Sequence, residues 1–313
     1  MLDILLSGTT QGLIWAMLAL GVYISYRILD VADLTCEGCI TLGASVAALL
    51  LWKEINPWLA VLISFVAGCL AGCVTGVLHT KLKIPPILSG ILTMISLYSI
   101  NIHIMSIATE KQGTANLSLL AYRSGTLYSQ FGKLFGLDKT SSALIIGALF
   151  CGGVIALLYW FFGTEIGSAI RATGNNEKMC RAQGIDTDLT KIIGLALSNG
   201  MIAVSGALLS QYQGYSDVNM GVGSIVIGLA SIIIGEAIFA RAKNFSMMLL
   251  GIVVGSVIYR LVVALVIYSG MPSTDMKLMT AVVVIVALCL TSSRNYIAAK
   301  LQGKNAKGEK KNG

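Results

Sequence analysis

Residues 57–80, PWLAVLISFVAGCLAGCVTGVLHT, sit in a stretch with no Asp, Glu, Lys or Arg between Glu54 and Lys81. A helix rises about 1.5 Å per residue, so this run by itself reaches across about 30 Å of hydrocarbon. Similar runs recur along the 313 residues, and the chain is 56% hydrophobic and 12% charged, with a mean hydropathy of +0.81. A water-soluble domain carries about 25% charged residues. The composition therefore excludes a soluble enzyme, a secreted disulfide scaffold and a nucleic-acid binder. It reads as an all-α polytopic protein of the lipid bilayer.

Working outward from that run, apolar stretches and their breaks predict nine spans, at 4–26, 36–52, 58–80, 84–107, 143–163, 192–212, 220–240, 246–268 and 276–293. The first basic residue is Arg27, so the N-terminal run lacks the positive leader of a cleaved signal and is expected to remain as a span. Nine crossings put the termini on opposite sides. With the C-terminus inside, the inner segments hold 15 Lys and Arg, namely Arg27, Lys81, Lys83, Arg171, Lys178, Arg181, Lys191, Arg241, Lys243, Arg294, Lys300, Lys304, Lys307, Lys310 and Lys311. The outer segments hold 6, namely Lys53, Lys111, Arg123, Lys133, Lys139 and Lys277. That bias places the C-terminus in the cytoplasm and the N-terminus outside. Arg260 falls inside a span near its outer end, where snorkelling is expected.

Two connections are long, 108–142 outside and 164–191 inside, and long ordered connections usually have a task. In the inner one Glu165, Ile166, Ala169, Ile170 and Ala172 give an apolar pattern of helical spacing, and Gly174-Asn175-Asn176 supplies a stop, predicting a short cytoplasmic helix. Gly38 and Gly43 are echoed by Gly223 and Gly228, each pair following an acidic, polar break. Four spans, one linking span and four more make the second half an inverted copy of the first, with discontinuous helices at the breaks, a pattern of transporters. The segments are then a first membrane repeat (1–107), an extracytoplasmic loop (108–142), a linking span (143–163), a cytoplasmic segment (164–191), a second repeat (192–293) and a basic tail (294–313).

Polar groups within such spans are costly in lipid and should face protein or water, which marks Asp33, Glu37, Asn101, Asn199, Gln211, Gln213, Asp217 and Glu236 as candidates for a solute path or for helix-joining hydrogen bonds. Asp33 and Asp217 flank breaks and are expected at the interface. Gly68, Gly72 and Gly76 share one helix face, as do Gly251 and Gly255, which predicts close helix packing within the chain, with a dimer face as the alternative. Cys36 and Cys39 have no second ligand pair, and His79 and His103 stand alone, so no metal site is expected. No nucleophile and base pattern and no phosphate loop occurs, so no catalytic residue is assigned and any ATP-driven motor must be another chain.

Several stretches together are more specific: Asp33-Leu34-Thr35-Cys36-Glu37-Gly38, Ile84-Pro85-Pro86 through Thr93-Met94, Arg171-Ala172-Thr173-Gly174-Asn175-Asn176, Leu197-Ser198-Asn199-Gly200, and Gln211-Tyr212-Gln213-Gly214 with Asp217-Val218-Asn219-Met220-Gly221. They resemble the permease subunits of bacterial ABC importers, the branched-chain amino acid and ribose permease family, and within it the tryptophan/tyrosine-type branch that works with a binding lipoprotein. The resemblance runs from about residue 10 to about residue 293. It implies a fold like that of type II ABC importers, residence in the bacterial cytoplasmic (inner) membrane, a second permease subunit forming a homodimer, two ATPase subunits, and an extracytoplasmic substrate-binding lipoprotein. This chain would carry no cofactor, ATP and Mg belonging to the ATPases.

By the same resemblance, Gly167 to Asn176, with Glu165 just before it, would be the coupling helix that docks on the ATPase: Gly167, Ala169, Ile170, Arg171, Ala172, Thr173, Gly174, Asn175 and Asn176. Asp33, Thr35, Glu37, Gly38, Thr41, Ser89, Thr93, Asn101, Asn199, Gln211, Asp217, Asn219, Ser231 and Glu236 would lie along the path. Glu37 stands where the branch typically has Asp, and Cys39 where Ser or a larger residue is usual, which bears on the solute. The expected function is inward movement of a small solute, an amino acid of aromatic type. The rival reading is an ion-coupled secondary transporter with Glu236, Asp217 or Asp33 as the coupling carboxylate.

Overall fold

The protein is described from a computed structural model covering residues 2–119, 125–239 and 244–269, together with 278, 280–285 and 289 of the C-terminal segment. Among the described residues, seven helices are long and apolar enough to cross a membrane: α1 (Leu2–Tyr23, continued by a π-helical turn Ile24–Ile28), α2 (Thr35–Trp52), α3 (Pro57–Thr80), α4 (Pro86–Thr109), α6 (Lys139–Phe162), α9 (Thr187–Gln213) and α11 (Phe245–Tyr268). Between them lie α5 (Leu127–Phe135), α7 (Glu165–Asn175), α8 (Glu177–Ala182) and the short apolar α10 (Ser224–Ile238). Two strands, β1 (Asn116–Ser118) and β2 (Tyr215–Asp217), pair antiparallel with Asn116 opposite Asp217.

Local chemistry sets the ends. Asn56 accepts from the Trp58 amide and Pro57 opens α3, so the missing proline N–H falls where no intrahelical acceptor awaits it. Asp186 accepts from Asp188 and Leu189 at the start of α9, and Gly214 closes that helix in the left-handed region at φ +82°. The span expected at 220–240 is shorter, because β2, a run of turns and Gly223 at φ +82° hold the backbone out of helix until Ser224. The linking span begins at Lys139 rather than 143, after the Asp138 cap. Of the ninth expected span, residues 280–285 are helical. The rest of it, apart from 278 and 289, and the tail 294–313 lie outside the described residues.

Hydrogen bonds and close approaches fix the directions. Ser205 donates to Ile14 O and Ser198 to Gly21 O, so α1 and α9 are antiparallel. Thr35 meets Thr75 and Ser64 donates to Gly43 O, so α2 opposes α3. Gly8 faces Ala264 and Gly12 faces Val257, so α1 opposes α11. Gly235 lies on Gly251 and Gly255 on Ser231, so α10 opposes α11. Hence α1, α3 and α10 run one way, α2, α9 and α11 the other. One end of the bundle carries β1, β2 and α5, the other α7 and α8.

The most enclosed helix is α9, buried at every residue from Ser198 to Gln211. Its neighbour α3 brings the predicted glycine stripe against it: a Cβ on Gly68 would meet Asn199 O, on Gly72 Leu195 O, and on Gly76 Ile192 Cα. Only a backbone without side chains permits that approach. Replacing Gly72 by Ala should therefore destabilise the protein by about 1–3 kcal/mol through overpacking. Gly153→Ala on α6, where nothing lies within 4 Å of the added carbon, should leave stability unchanged or slightly raised. Thermal unfolding of the purified protein in detergent distinguishes the two, and equal melting temperatures would contradict the packing.

Candidate translocation site

A cavity of about 540 Å³ opens between α2, α4 and the turn segment before α10, lined by Glu37, Gly38, Thr41, Met94, Tyr98, Asn101 and Asn219 among others. Glu37, in the first turn of α2, is half-buried, and its Oε1 accepts from the Gly223 amide at 3.0 Å, which places a carboxylate at the N-terminus of α10 where the helix dipole favours it. Asn101 donates to Gly38 O at 3.2 Å, and its Oδ1 is 3.5 Å from the Ser45 hydroxyl. Thr41 reaches Glu37 O and Val218 O, both at 3.4 Å. The wall combines one carboxylate and several hydrogen-bonding groups with the apolar faces of Met94, Ile95 and Val222 and the ring of Tyr98. Such a surface suits a small solute that carries a donor-rich polar end and an apolar end.

Beside the cavity lies a second set. Asp33 is 4% exposed rather than at the interface: Asn199 Nδ2 donates to its Oδ2 at 2.6 Å and the Thr35 amide to its Oδ1 at 2.9 Å. The break 29–34 sinks into the protein because α1 ends in a π turn, and because Gly90 leaves room where a Cβ would lie 2.8 Å from Leu34 N. From Thr35 a chain of hydroxyls continues to Thr75 at 2.8 Å, to Thr93 at 3.0 Å and on to Ser89 O at 3.0 Å. A buried carboxylate is thus held by donors from two places in the chain, Asn199 and Thr35.

The remaining expected path residues lie elsewhere. Gln211 accepts from the Leu127 amide at 3.0 Å and so anchors α5. Asp217 accepts from the Asn219 amide at 2.8 Å and from Asn116 Nδ2 at 3.2 Å. Ser231 donates within its own helix to Ile227 O. Glu236 stands 3.0 Å from Arg27 Nε in a separate cavity of about 240 Å³ with Tyr23 and Met248. Nor does Arg260 run free along the surface: its guanidinium carbon stacks 4.2 Å from the centroid of Trp15 on α1.

At the opposite end from the sheet, residues 165–175 form α7 as expected. Thr164 caps it by accepting from Gly167 N, and Asn176 is extended, ending the helix and starting α8 by accepting from Met179 N. Gly167, Ile170 and Thr173 face the bundle, with Thr173 Oγ1 3.0 Å from Thr190 Oγ1 on α9. Gly174 rests on the backbone of Ile28 and Leu29 at the end of α1, an approach any side chain would block. Arg171 lies 5.7 Å from the Phe245 ring centroid. Glu165, Ile166, Ser168, Arg171 and Asn175 are exposed. On α8, Glu177 binds Lys191 and Arg181, each at 2.8 Å, and the hydrogen bond from Lys191, with the charges of both cations, holds its carboxyl below the ordinary 4.5.

Sequence reasoning missed Thr75, Met94 and Tyr98, and the whole of α8. Met94, Tyr98 and Asn101 share a helix face, so the inward placement of Asn101 was the available signal for the first two.

Compared with known proteins, residues 4–288 match a family profile described as branched-chain amino acid transport system / permease component. The tyrosine transport system permease protein of Clostridioides difficile (strain R20291) is 41% identical over 302 residues, covering 96% of this chain and 95% of that one. The high-affinity branched-chain amino acid transport system permease protein LivH of Escherichia coli (strain K12) is 22% identical over 222 residues, covering 69% and 72%. Among solved structures, PsaBC from Streptococcus pneumoniae in complex with Fab shares the fold, with a TM-score of 0.51, 14% identity and coverage of 95% of this chain and 94% of that one.

Two outcomes follow from this geometry. Asp33→Asn and Asn199→Asp should each lower the melting temperature and uptake, and the double exchange should recover much of the loss, because an amide at 33 can accept from Thr35 while donating to a carboxylate at 199; no recovery would contradict the pair. For Glu177, a lowered folded-state pKa means a contribution fully present above the unfolded value of 4.5 and lost as pH falls through the folded value. The protection of the α8 amides, measured as exchange relative to the intrinsic rate at each pH, should therefore stay flat from about pH 7 to about pH 5 and fall only in stronger acid, while Glu177→Gln should be less protected throughout.

Proposed function

The chain belongs to the family of branched-chain amino acid transport system permease components, and from that membership we propose that it is the membrane-spanning subunit of an ABC importer for tyrosine or a close aromatic amino acid. The observation that carries the reading is 41% identity over almost the full length of both chains to a protein named as a tyrosine transport permease. The cavity chemistry agrees: Glu37 offers a partner for an ammonium group, and Tyr98, Met94 and Ile95 an apolar wall for a ring. The solute would arrive from an extracytoplasmic binding lipoprotein at the end carrying β1, β2 and α5, and leave toward the cytoplasm, where the basic segments lie.

On this reading α7 is the coupling helix. Its exposed face, with Ile166 and Arg171, is what two partner ATPases would grip, while its inner face is fixed to α1 by Gly174 and to α9 by Thr173. A helix held this way passes a motor's closure on as a rigid tilt of both spans. The two halves act as inverted repeats: α1 and α9 run oppositely, and Gly43 packs on α9 as Gly228 packs on α1. A second copy across the open side of the cavity would complete the path. A coupling carboxylate for the rival ion-coupled mechanism would first have to leave its partner, since Asp33, Asp217 and Glu236 are each engaged by one.

The test is tyrosine uptake into proteoliposomes containing this chain with its ATPase and binding protein. Uptake should require ATP and ignore ionophores, and Arg171→Glu should reduce it about tenfold or more while the protein still folds, since losing one charged contact of about 1.5–3 kcal/mol has that scale. Ionophore-sensitive uptake by this chain alone would overturn the reading.

A further inference from the structure

Given the importer reading above, in which a second copy closes the open side of the cavity, we infer that the exposed face of α4 carrying Ser96, Ser99 and His103 is a wall of the water-filled solute path. It extends that path from the cavity at Glu37 toward the end of the bundle that bears the sheet. α4 meets the rest of the chain along one side: Leu97 lies against Gly38 of α2, Asn101 donates to Gly38 O, and Ser89, Thr93 and Met105 are buried with them. On the other side Ser96, Ser99 and His103, spaced i, i+3 and i+7, share a face and are all exposed. Ser96 turns its hydroxyl back to Leu92 O at 2.9 Å, whereas Ser99 and His103 have no hydrogen-bond partner among the described residues.

Depth makes this face unlike a lipid surface. Ser99 lies near the middle of the 24-residue α4, and His103 is one turn further on. A partnerless imidazole is costly against hydrocarbon and belongs where water or protein meets it. Elsewhere the bundle shows what a lipid face looks like: on α3 every exposed residue from Trp58 to Val77 is apolar, Leu62, Val66 and Leu70 among them. Two features mark a path on α4 instead. Ser99 and the half-exposed ring of Tyr98 line the cavity of about 540 Å³ together with Glu37 and Asn219, so the face continues a wall that is already open. Beyond His103 the polar run goes on through Ser106 and Thr109, which bond the Thr114 amide at 3.2 Å and the Thr114 hydroxyl at 2.7 Å just before β1. Hydroxyl and imidazole groups each donate and accept, which serves the ammonium and the carboxylate of a passing amino acid alike.

The experiment is labelling by a charged methanethiosulfonate in open membrane fragments, using a chain whose cysteines that are not buried, Cys69, Cys73 and Cys289, are replaced by alanine. Ser96→Cys, Ser99→Cys and His103→Cys should each react at least about tenfold faster than Leu70→Cys on α3, because the reactive thiolate forms in water and not in lipid. The sulfonate attached at position 99 should then abolish tyrosine uptake by the assembled transporter without lowering its melting temperature. Should His103→Cys fail to fold, the two serine variants carry the test. Labelling no faster than at Leu70→Cys would overturn the proposal and make the face a lipid contact. So would a disulfide between two copies of Ser99→Cys in place of labelling, which marks a dry helix contact, or full uptake by the labelled protein, which marks a water crevice off the path. Labelling needs no transported solute, so absence of uptake by the unlabelled protein would count against the tyrosine reading alone, while the labelling rates still decide this one.

Discussion

The 2.6 Å hydrogen bond from Asn199 to Asp33 holds the break before α2 against the centre of the bundle. A carboxylate enclosed at this depth is tolerable only if its oxygens are met by donors, because no water takes their place. Asn199 and the Thr35 amide meet them, and the consequence reaches further than the pair. The break leads directly into α2, so its depth sets the height at which Glu37 faces the cavity and reaches the Gly223 amide. One buried bond thereby positions α2 and, through it, the start of α10.

Small residues do the complementary work. Along α9 the neighbours α1, α2 and α3 approach closely enough that serine hydroxyls bond backbone carbonyls across helices, as Ser198 does to Gly21 and Ser205 to Ile14. The same device at the opposite end from the sheet seats Gly174 on Ile28, one residue from Arg27, which is paired with Glu236 on α10. If α7 takes up movement from a partner ATPase, as proposed, the contact sequence α7, the π turn of α1 and α10 offers a continuous mechanical route to the helix whose N-terminus borders the cavity.

Much of the fold was legible from hydropathy and breaker residues, because a span must be long, apolar and free of charge whatever its partners. The stop at Gly174-Asn175-Asn176 and the glycine stripe of α3 were legible for the same local reasons. The depth of Asp33 was not, since it depends on Gly90 and on a π turn, neither of which has a signature at the sequence level. Glu37, Gly38, Thr41, Asn101 and Asn219 line one cavity, whereas Gln211, Asp217 and Ser231 hydrogen-bond other protein groups and Glu236 lines a separate cavity beside Arg27, a division that composition does not show. Arg260, read as a snorkelling side chain, is instead turned onto Trp15, a contact 245 positions away in the chain.

The most direct test of the central claim, that the exposed face of α7 meets a motor while its inner face moves the bundle, is cysteine cross-linking from Ser168→Cys in native membranes. Ser168 is exposed and its hydroxyl bonds only within its own helix, so the replacement leaves the fold intact. The account predicts a cross-link to an ATP-binding subunit, with a yield that changes when ATP is added. A cross-link confined to lipid or to a second copy of this chain, insensitive to ATP, would contradict it.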